Sequence, residues 1–469
     1  MRPILFTLLT GALLTGSVTG SQAQIKVNLW LTDPDKSVYF KEQANGPVLR
    51  RSPATAGDGA VITVDPGKTF QSIDGYGWAL TGGSAQHILR MSPAARAALL
   101  KDLISPTADH IGGSYLRVSI GASDLNDHVF SYDDMPDGKT DTSLANFDLG
   151  PDKKEVIPVL KEILSVNPAI TILASPWSAP AWMKTNNDTR GGSLKPEYFG
   201  IYARYLVKYI QAMKKAGIRI DAITVQNEPL HPGNNPSMFM PAGEQAEFIK
   251  TALGPAFRAA ELNTKIIIYD HNADKPEYPM SILDDPGARK YIDGSAFHLY
   301  GGTINALSKV HEAFPTKNLY FTEQWVGAPG NLKKDLQEHI QKLIIGAARN
   351  WSRNVIEWNL AADPQSQPHT DRGGCDRCLG AVTIDGDKVT HNPAYYIIAH
   401  AAKFVRPGSV RISSDESDIL PNVAFRTPAG KTVLIVLNAT DQAQSFVIHY
   451  KSDQVRVSLN GGAVATYVW

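Results

Sequence analysis

The chain has 469 residues, enough for more than one domain, and an apolar fraction of 43%, ordinary for a folded protein with a large core. Lys+Arg and Asp+Glu both number 46, so the formal charge is zero and nothing in the composition favours a polyanion such as nucleic acid as partner. Past the N-terminus, no stretch is long and apolar enough to form a transmembrane helix.

Met1-Arg2 is followed by an apolar run from Ile4 to Leu14 and by small residues ending Ser21-Gln22-Ala23. A charged start, a short apolar stretch and a small-x-small end form the pattern of a cleaved signal peptide, here residues 1–23. The expected destination is the periplasm or the exterior, without a lipid anchor, since no Cys stands at the cleavage point. Residues 24–67 are short, β-leaning and turn-rich: Ile25 to Trp30, Val38 to Phe40 and Val61 to Val64, closed by Asp65-Pro66-Gly67.

From 68 to 399 the pattern becomes strand, loop, helix, repeated. Eight apolar strands are expected near Ile73–Trp78, Ser114–Ile120, Ile170–Ser175, Ala222–Gln226, Lys265–Tyr269, Ala296–Tyr300, Leu319–Thr322 and Val355–Asn359. Apolar residues recur at helical spacing between them, as in Val156, Val159, Leu160, Ile163 and Leu164 before Asn167-Pro168. Eight such units predict an α/β fold of the (β/α)8 TIM-barrel type. A doubly wound dinucleotide-binding sheet is disfavoured, because Gly75-Tyr76-Gly77 lacks the third glycine and its spacing, and no cofactor is expected. From 400 to 469 strands return, with Pro428-Ala429-Gly430-Lys431 as a hairpin turn. The expected side domain is a β-sandwich that the N-terminal strands join, so that both chain ends build it.

Barrel active sites lie at the C-terminal ends of the strands. Here those ends carry Arg117, Trp177, Asn227 and Glu228, Asp270 and His271, His298 and Tyr300, Glu323 and Trp325, and Trp358 and Asn359. Aromatic faces and polar edge groups suit a sugar ring, which has apolar faces and a rim of hydroxyls. Singly, each Trp reads as packing and His298 as a core histidine; their joint placement favours sugar binding. Glu228 and Glu323 are about three units apart, which sets them nearly opposite in the barrel, and two facing carboxylates are what glycoside hydrolysis needs. Arg117 is positioned to lower the pKa of the carboxylate it reaches, and Asn227 to bond a sugar 2-hydroxyl. An oligo- or polysaccharide is the expected partner, and no metal is expected. Cys375 and Cys378 read first as a local disulfide, second as free thiols, and last as part of a metal site with His369 or His391.

Several segments together resemble glycoside hydrolase family 30, the family of glucosylceramidases and β-1,6-glucanases. They are Gln71 to Gly77, Leu116-Arg117-Val118-Ser119, Ser175 to Lys184, Thr224 to Pro229, His298-Leu299-Tyr300, Phe321-Thr322-Glu323 and Trp358-Asn359-Leu360. The resemblance implies a retaining double displacement, with Glu228 as acid/base and Glu323 as nucleophile. It also implies sugar contacts from Trp177, Asn227, His298, Tyr300 and Trp358. One departure stands out. Where glucosylceramidase-like members carry Gly-Gly-Ala-x-Thr-Asp, this chain reads Gly77-Trp78-Ala79-Leu80-Thr81-Gly82. The expectation is that a carboxylate is lost at Gly82 and that Trp78 reshapes the cleft for an internal β-glucan segment, β-1,6-linked by preference. A glucosylceramidase-type or β-xylosidase-type exo-enzyme is the alternative within the class, and a non-catalytic carbohydrate-binding protein the alternative outside it.

Overall fold

The structure, a computed structural model, describes residues 24–51, 60–107 and 109–469. The expected signal peptide, residues 1–23, lies outside the described residues.

Eight parallel strands close into a barrel: β1 Gly75–Ala79, β2 Tyr115–Ile120, β3 Thr171–Pro176, β4 Ala222–Thr224, β5 Lys265–Ala273, β6 Ile292–Gly302, β7 Asn318–Glu323 and β8 Ser352–Glu357. Each expected strand is present, and β8 pairs with β1 through Asn354 to Glu357 against Gly75 to Trp78, which closes the ring. Alternation along each strand sends one set of side chains outward to the helices and the other inward. Inside, Tyr115, Leu173, Ala222, Ile267, Ala296, Tyr320 and Ile356 form a separate buried cluster drawn from β2 to β8. That plug fills the lower barrel, so the polar inward residues collect above it, at the C-terminal ends of the strands.

The helices carry the complementary apolar faces. Helix Val156–Val166 buries Val156, Ile157, Val159, Leu160 and Ile163, and helix Phe199–Lys215 buries Phe199, Tyr202, Leu206, Tyr209, Ile210 and Met213. No helix among the described residues is long and apolar enough to cross a membrane.

Eleven of the remaining strands form one continuous sheet that folds back on itself as a sandwich, and the other five make two small sheets on the loops after β7 and β8. Both chain ends contribute: Asn28–Asp33 pairs antiparallel with Val464–Val468, and Val48–Arg51 with Asp453–Leu459. The long strand Ala60–Ser72 serves both halves, running parallel to Gln444–Tyr450 at its start and antiparallel to Val410–Ser414 further along. Ile62, Val64, Leu434, Val436, Phe446, Ile448 and Tyr467 make its inner core. Alternate residues, Val433, Ile435 and Leu437, join the barrel's core instead. The seam is also hydrogen-bonded: His400 on helix Pro393–Ala402 meets Thr32 at 2.8 Å and Thr466 at 2.9 Å. The strand Ala60–Ser72 runs through residue 67 and the helix through residue 400, so each element straddles an expected domain border.

Candidate active site

Above the apolar plug lies a layer of polar side chains, one or more from each of β2 to β7, with Asp270 at its centre. One Asp270 carboxylate oxygen accepts from Arg117 Nη2 (2.8 Å), Ser175 Oγ (3.0 Å) and Thr224 Oγ1 (2.7 Å). The other accepts from Thr322 Oγ1 (2.6 Å) and lies 3.1 Å from His298 Nε2. Burial works against its charge, but the Arg117 charge and the bonds from His298 and Thr322 hold its pKa far below the usual carboxylate range. Tyr269 and Asp270 both lie in the left-handed region, at φ +70° and +65°, the kind of backbone strain that clusters at functional sites.

Arg117 is fully buried and distributes its guanidinium over four acceptors, with Nε donating to Ser175 Oγ at 3.2 Å. Besides Asp270, Nη1 donates to Glu323 Oε2 and Nη2 to Asn227 Oδ1 at 2.6 Å. Its flat face lies 4.8 Å from the Trp177 ring and 5.7 Å from that of Trp358, both within cation–π range. The two indoles stack on each other at 5.3 Å.

Glu228 follows β4 on a turn that puts its own φ at +43°. Backbone bonds fix the turn: Asn227 N donates to Pro176 O at 2.8 Å and Glu228 N to Asp270 O at 3.0 Å. Glu323 ends β7. His298 bridges the two, with Nδ1 at 3.1 Å from Glu228 Oε1 and 3.6 Å from Glu323 Oε1. One carboxylate oxygen of each glutamate and a His298 nitrogen all lie within 4.8 Å of one another. Tyr300 donates its hydroxyl to Glu323 Oε1 at 3.0 Å while its residue stays 40% exposed, so the ring remains open to solvent.

Groups this close titrate as a set. Burial alone would lower the His298 pKa; the Glu323 charge and the bonds to Asp270 and Glu228 outweigh it and hold the imidazole up at about 9. Burial raises Glu323, and the charge on Glu228 adds to this against His298 and Arg117. Burial acts the same way on Glu228, but there the bond and charge of His298, backed by His271 and His231, prevail and keep it below the ordinary range. His298 therefore carries the proton that an acid at Glu228 would use, one hydrogen bond away.

The two cysteines form a disulfide, Cys375–Cys378. It packs with Trp177, Trp358, Trp325 and Leu125 in one small cluster, and Cys378-Leu379 pairs with Val326-Gly327. The loop after β8 is thereby tied to the strand end after β7.

Comparison with known proteins is decisive about the family. The model of the glycosyl hydrolase family 30 TIM-barrel domain matches residues 73–405, and that of the family 30 β-sandwich domain residues 408–467. The chain belongs to glycosyl hydrolase family 30. It is 35% identical over 409 residues to the endo-1,6-β-D-glucanase neg1 of Aspergillus fumigatus, covering 82% of each chain. It is 30% identical over 443 residues to the lysosomal acid glucosylceramidase of Mus musculus, covering 88% of this chain and 84% of that one. Among solved structures it superposes on the endo-β1,6-glucanase BT3312 with a TM-score of 0.86 at 35% identity, over 95% of this chain and 99% of the other.

Within this family 30 barrel the structure brings together Glu228, Glu323, Arg117, Trp177, Asn227, His298, Tyr300, Trp325 and Trp358. Trp78 does not join them. It is fully buried in the main core, with Nε1 donating to Ala394 O at 3.3 Å, between the barrel wall and helix Pro393–Ala402. Alternation is the reason: its neighbour Ala79 pairs with Arg117 and packs with Trp177, so Trp78 faces outward.

The expectation built on Gly82 also changes. Gly82 opens helix Gly82–Arg90, and a Cβ there would stand 1.9 Å from Asn126 Nδ2, so a side chain at 82 would have to displace the Asn126 amide. A carboxylate comes from elsewhere. Asp124, on the loop after β2, is 5% exposed, and burial with the nearby charges of Glu323 and Glu228 pushes its pKa up to about 7. Its own N–H and that of Cys375 point at the carboxylate. Two clamps hold the loop, Thr370 N to Asp124 O and Gly83 N to Leu125 O, both 2.9 Å. Of the site's carboxylates, Asp270 is legible as a strand-end residue though not as the hub of the polar layer, whereas Asp124, beyond the strand and past the Gly121 turn, gives no signal in the sequence.

Proposed function

We propose that the chain is an exported retaining endo-hydrolase of β-1,6-linked glucan, with Glu323 as nucleophile and Glu228 as general acid/base. The observation that carries this is the carboxylate pair. Oxygens within 4.8 Å suit the gap of about 5–5.5 Å used for covalent retention and are too close for the water that inversion fits into about 6.5–9.5 Å. Glu323 Oε attacks the anomeric carbon while Glu228 gives its proton to the departing oxygen. Glu228 then takes a proton from water, which attacks the same carbon and releases Glu323.

The assignment of roles follows from an asymmetry of partners. Glu323 is held by Arg117, whose charge is permanent, and by the Tyr300 hydroxyl; both favour the ionised nucleophile. Glu228 is held by a histidine that can hand over its proton and keep the hydrogen bond as a neutral partner. The resting bias toward a charged His298 runs against an acid at Glu228. The transfer needs only the 3.1 Å bond between them, and a sugar that displaces water from the cleft favours the neutral pair. Asn227, its carbonyl oxygen taken by Arg117, presents its amide nitrogen to the 2-hydroxyl.

The β-1,6-glucan substrate is supported by the similarity to proteins described as endo-1,6-β-glucanases, and export by the N-terminal pattern. Asp124 favours one competing reading. It supplies the carboxylate that the Gly82 argument had removed, so recognition of a terminal glucose, as by a glucosylceramidase-type enzyme, regains a basis. Product analysis on β-1,6-glucan, xylan and glucosylceramide separates the two. Release of oligosaccharides of several lengths from β-1,6-glucan supports the proposal; glucose alone, from glucosylceramide in preference, supports the second reading.

A further inference from the structure

Among the buried polar side chains at the cleft that take no part in the proposed mechanism is a histidine. His271, next to Asp270 near the end of β5, is 7% exposed, and its Nδ1 has no hydrogen-bond partner. The backbone explains its position. The β5–β6 register shifts between Tyr269 and His271, where the two left-handed residues fall. A bulge of this kind re-aims side chains, so Asp270 enters the polar layer and the next residue still stands beside the cleft rather than in the helix layer. The His271 ring lies 5.9 Å from that of Tyr269 and 6.5 Å, edge-on, from that of His298.

The site has two ends. Arg117, stacked on Trp177 and Trp358, bonds Glu323, whereas His271 stands edge-on to His298, the hydrogen-bond partner of Glu228. Burial pushes the His271 pKa down to about 4, so above mildly acidic pH the ring is neutral and offers one donor and one acceptor. Buried polar atoms without partners are uncommon enough in folded proteins to need a reason, and a ligand group is one. An acid/base stands by definition beside the leaving-group oxygen, so the sugar next to His271 is the one that departs.

We infer that His271 binds that sugar: its imidazole exchanges a hydrogen bond with a hydroxyl of the residue on the leaving-group side of the cleaved bond. This rests on the glycosidase reading. The same contact holds an acceptor sugar when a second saccharide, instead of water, meets the glycosyl-enzyme: the acceptor hydroxyl gives its proton to Glu228, a new C–O bond forms, and Glu323 leaves.

The test uses His271→Phe, which keeps a ring and removes both nitrogens, and His271→Gln, which restores a donor and an acceptor. Two substrates share a β-1,6-linked glycone, one with a glucose leaving group and one with a nitrophenyl group. The Phe variant is expected to lose about five- to tenfold more kcat/KM on the oligosaccharide than on the aryl glycoside, the weight of one hydrogen bond. It should also divert less glycosyl-enzyme to an added glucose acceptor, and Gln should recover part of both. Equal losses on the two substrates, or unchanged capture by the acceptor, overturn the inference while leaving the glycosidase intact. If the wild type cleaves neither substrate, the functional reading falls and this one with it. Should the Phe variant not fold, His271→Ala gives the same comparison.

Discussion

Replacing Asp270 with Asn tests the hub on which the rest of the site hangs. The aspartate oxygens make five contacts, to Arg117, Ser175, Thr224, His298 and Thr322. An amide keeps one oxygen. Placed toward Thr322 and His298, it leaves an NH2 group facing three groups of which Arg117 can only donate. Breaking a buried ion pair from one side typically destabilises by about 3–5 kcal/mol. Arg117 keeps Glu323, so its charge is not wholly orphaned and the lower end, about 3 kcal/mol, is the expectation. Urea unfolding at one pH, followed by Trp fluorescence, measures it. Activity should fall further than stability suggests, by roughly 10²-fold in kcat, because misplacement of Arg117 and His298 by even an ångström spoils the geometry of the pair. The Asn variant also lacks one of the groups that hold the His298 pKa up, so the alkaline limb of its rate profile should move to lower pH. A stability loss under about 1 kcal/mol, the net value of one ordinary hydrogen bond, with kcat unchanged would refute the reasoning.

Three further outcomes follow from the geometry. Glu228→Ala should lose roughly 10²–10⁴-fold on polysaccharide, and azide should restore turnover on a substrate with a good leaving group; absence of a glycosyl azide product would count against the acid/base role. Asp124 has a folded pKa near 7, above its unfolded value, so its charge destabilises the fold increasingly as pH rises from about 4 through 7. Asp124→Asn should thus be more stable than the wild type at pH 8, with a gain that fades toward pH 4, and should bind substrate less well; a difference flat with pH would contradict this. Changing Cys375 and Cys378 together to Ser should cost about 2 kcal/mol of stability and raise KM, since the disulfide backs Trp325, Trp358 and the Asp124 carboxylate; an unchanged KM would remove the loop from the substrate rim.

What the sequence made legible follows strand periodicity. The eight barrel strands are apolar runs with turn signals at their ends, and a polar residue within such a run or at its C-terminal end is placed by the fold itself: Arg117 and His298 lie within β2 and β6, Glu323 ends β7 and Glu228 follows β4. Trp78 was misread because a strand end does not say which of two adjacent residues faces inward. Ala79, whose partner is Arg117, faces in and the indole faces out. Asp124 was illegible for a different reason. Its place is set by the bond from Thr370 N to its own carbonyl, by that from Gly83 N in helix Gly82–Arg90 to the next carbonyl, Leu125 O, and by the Cys375 N–H, all far away in the chain. Gly82 was given a meaning in one dimension, a missing carboxylate, that in three dimensions is the packing of Asn126 against a helix start.

Proton NMR of the first minutes of β-1,6-glucan hydrolysis tests most directly whether Glu228 and Glu323 cleave that glucan with retention. New reducing ends that appear as the β-anomer, and only later equilibrate to α, are the predicted result. New ends that appear first as α would contradict it.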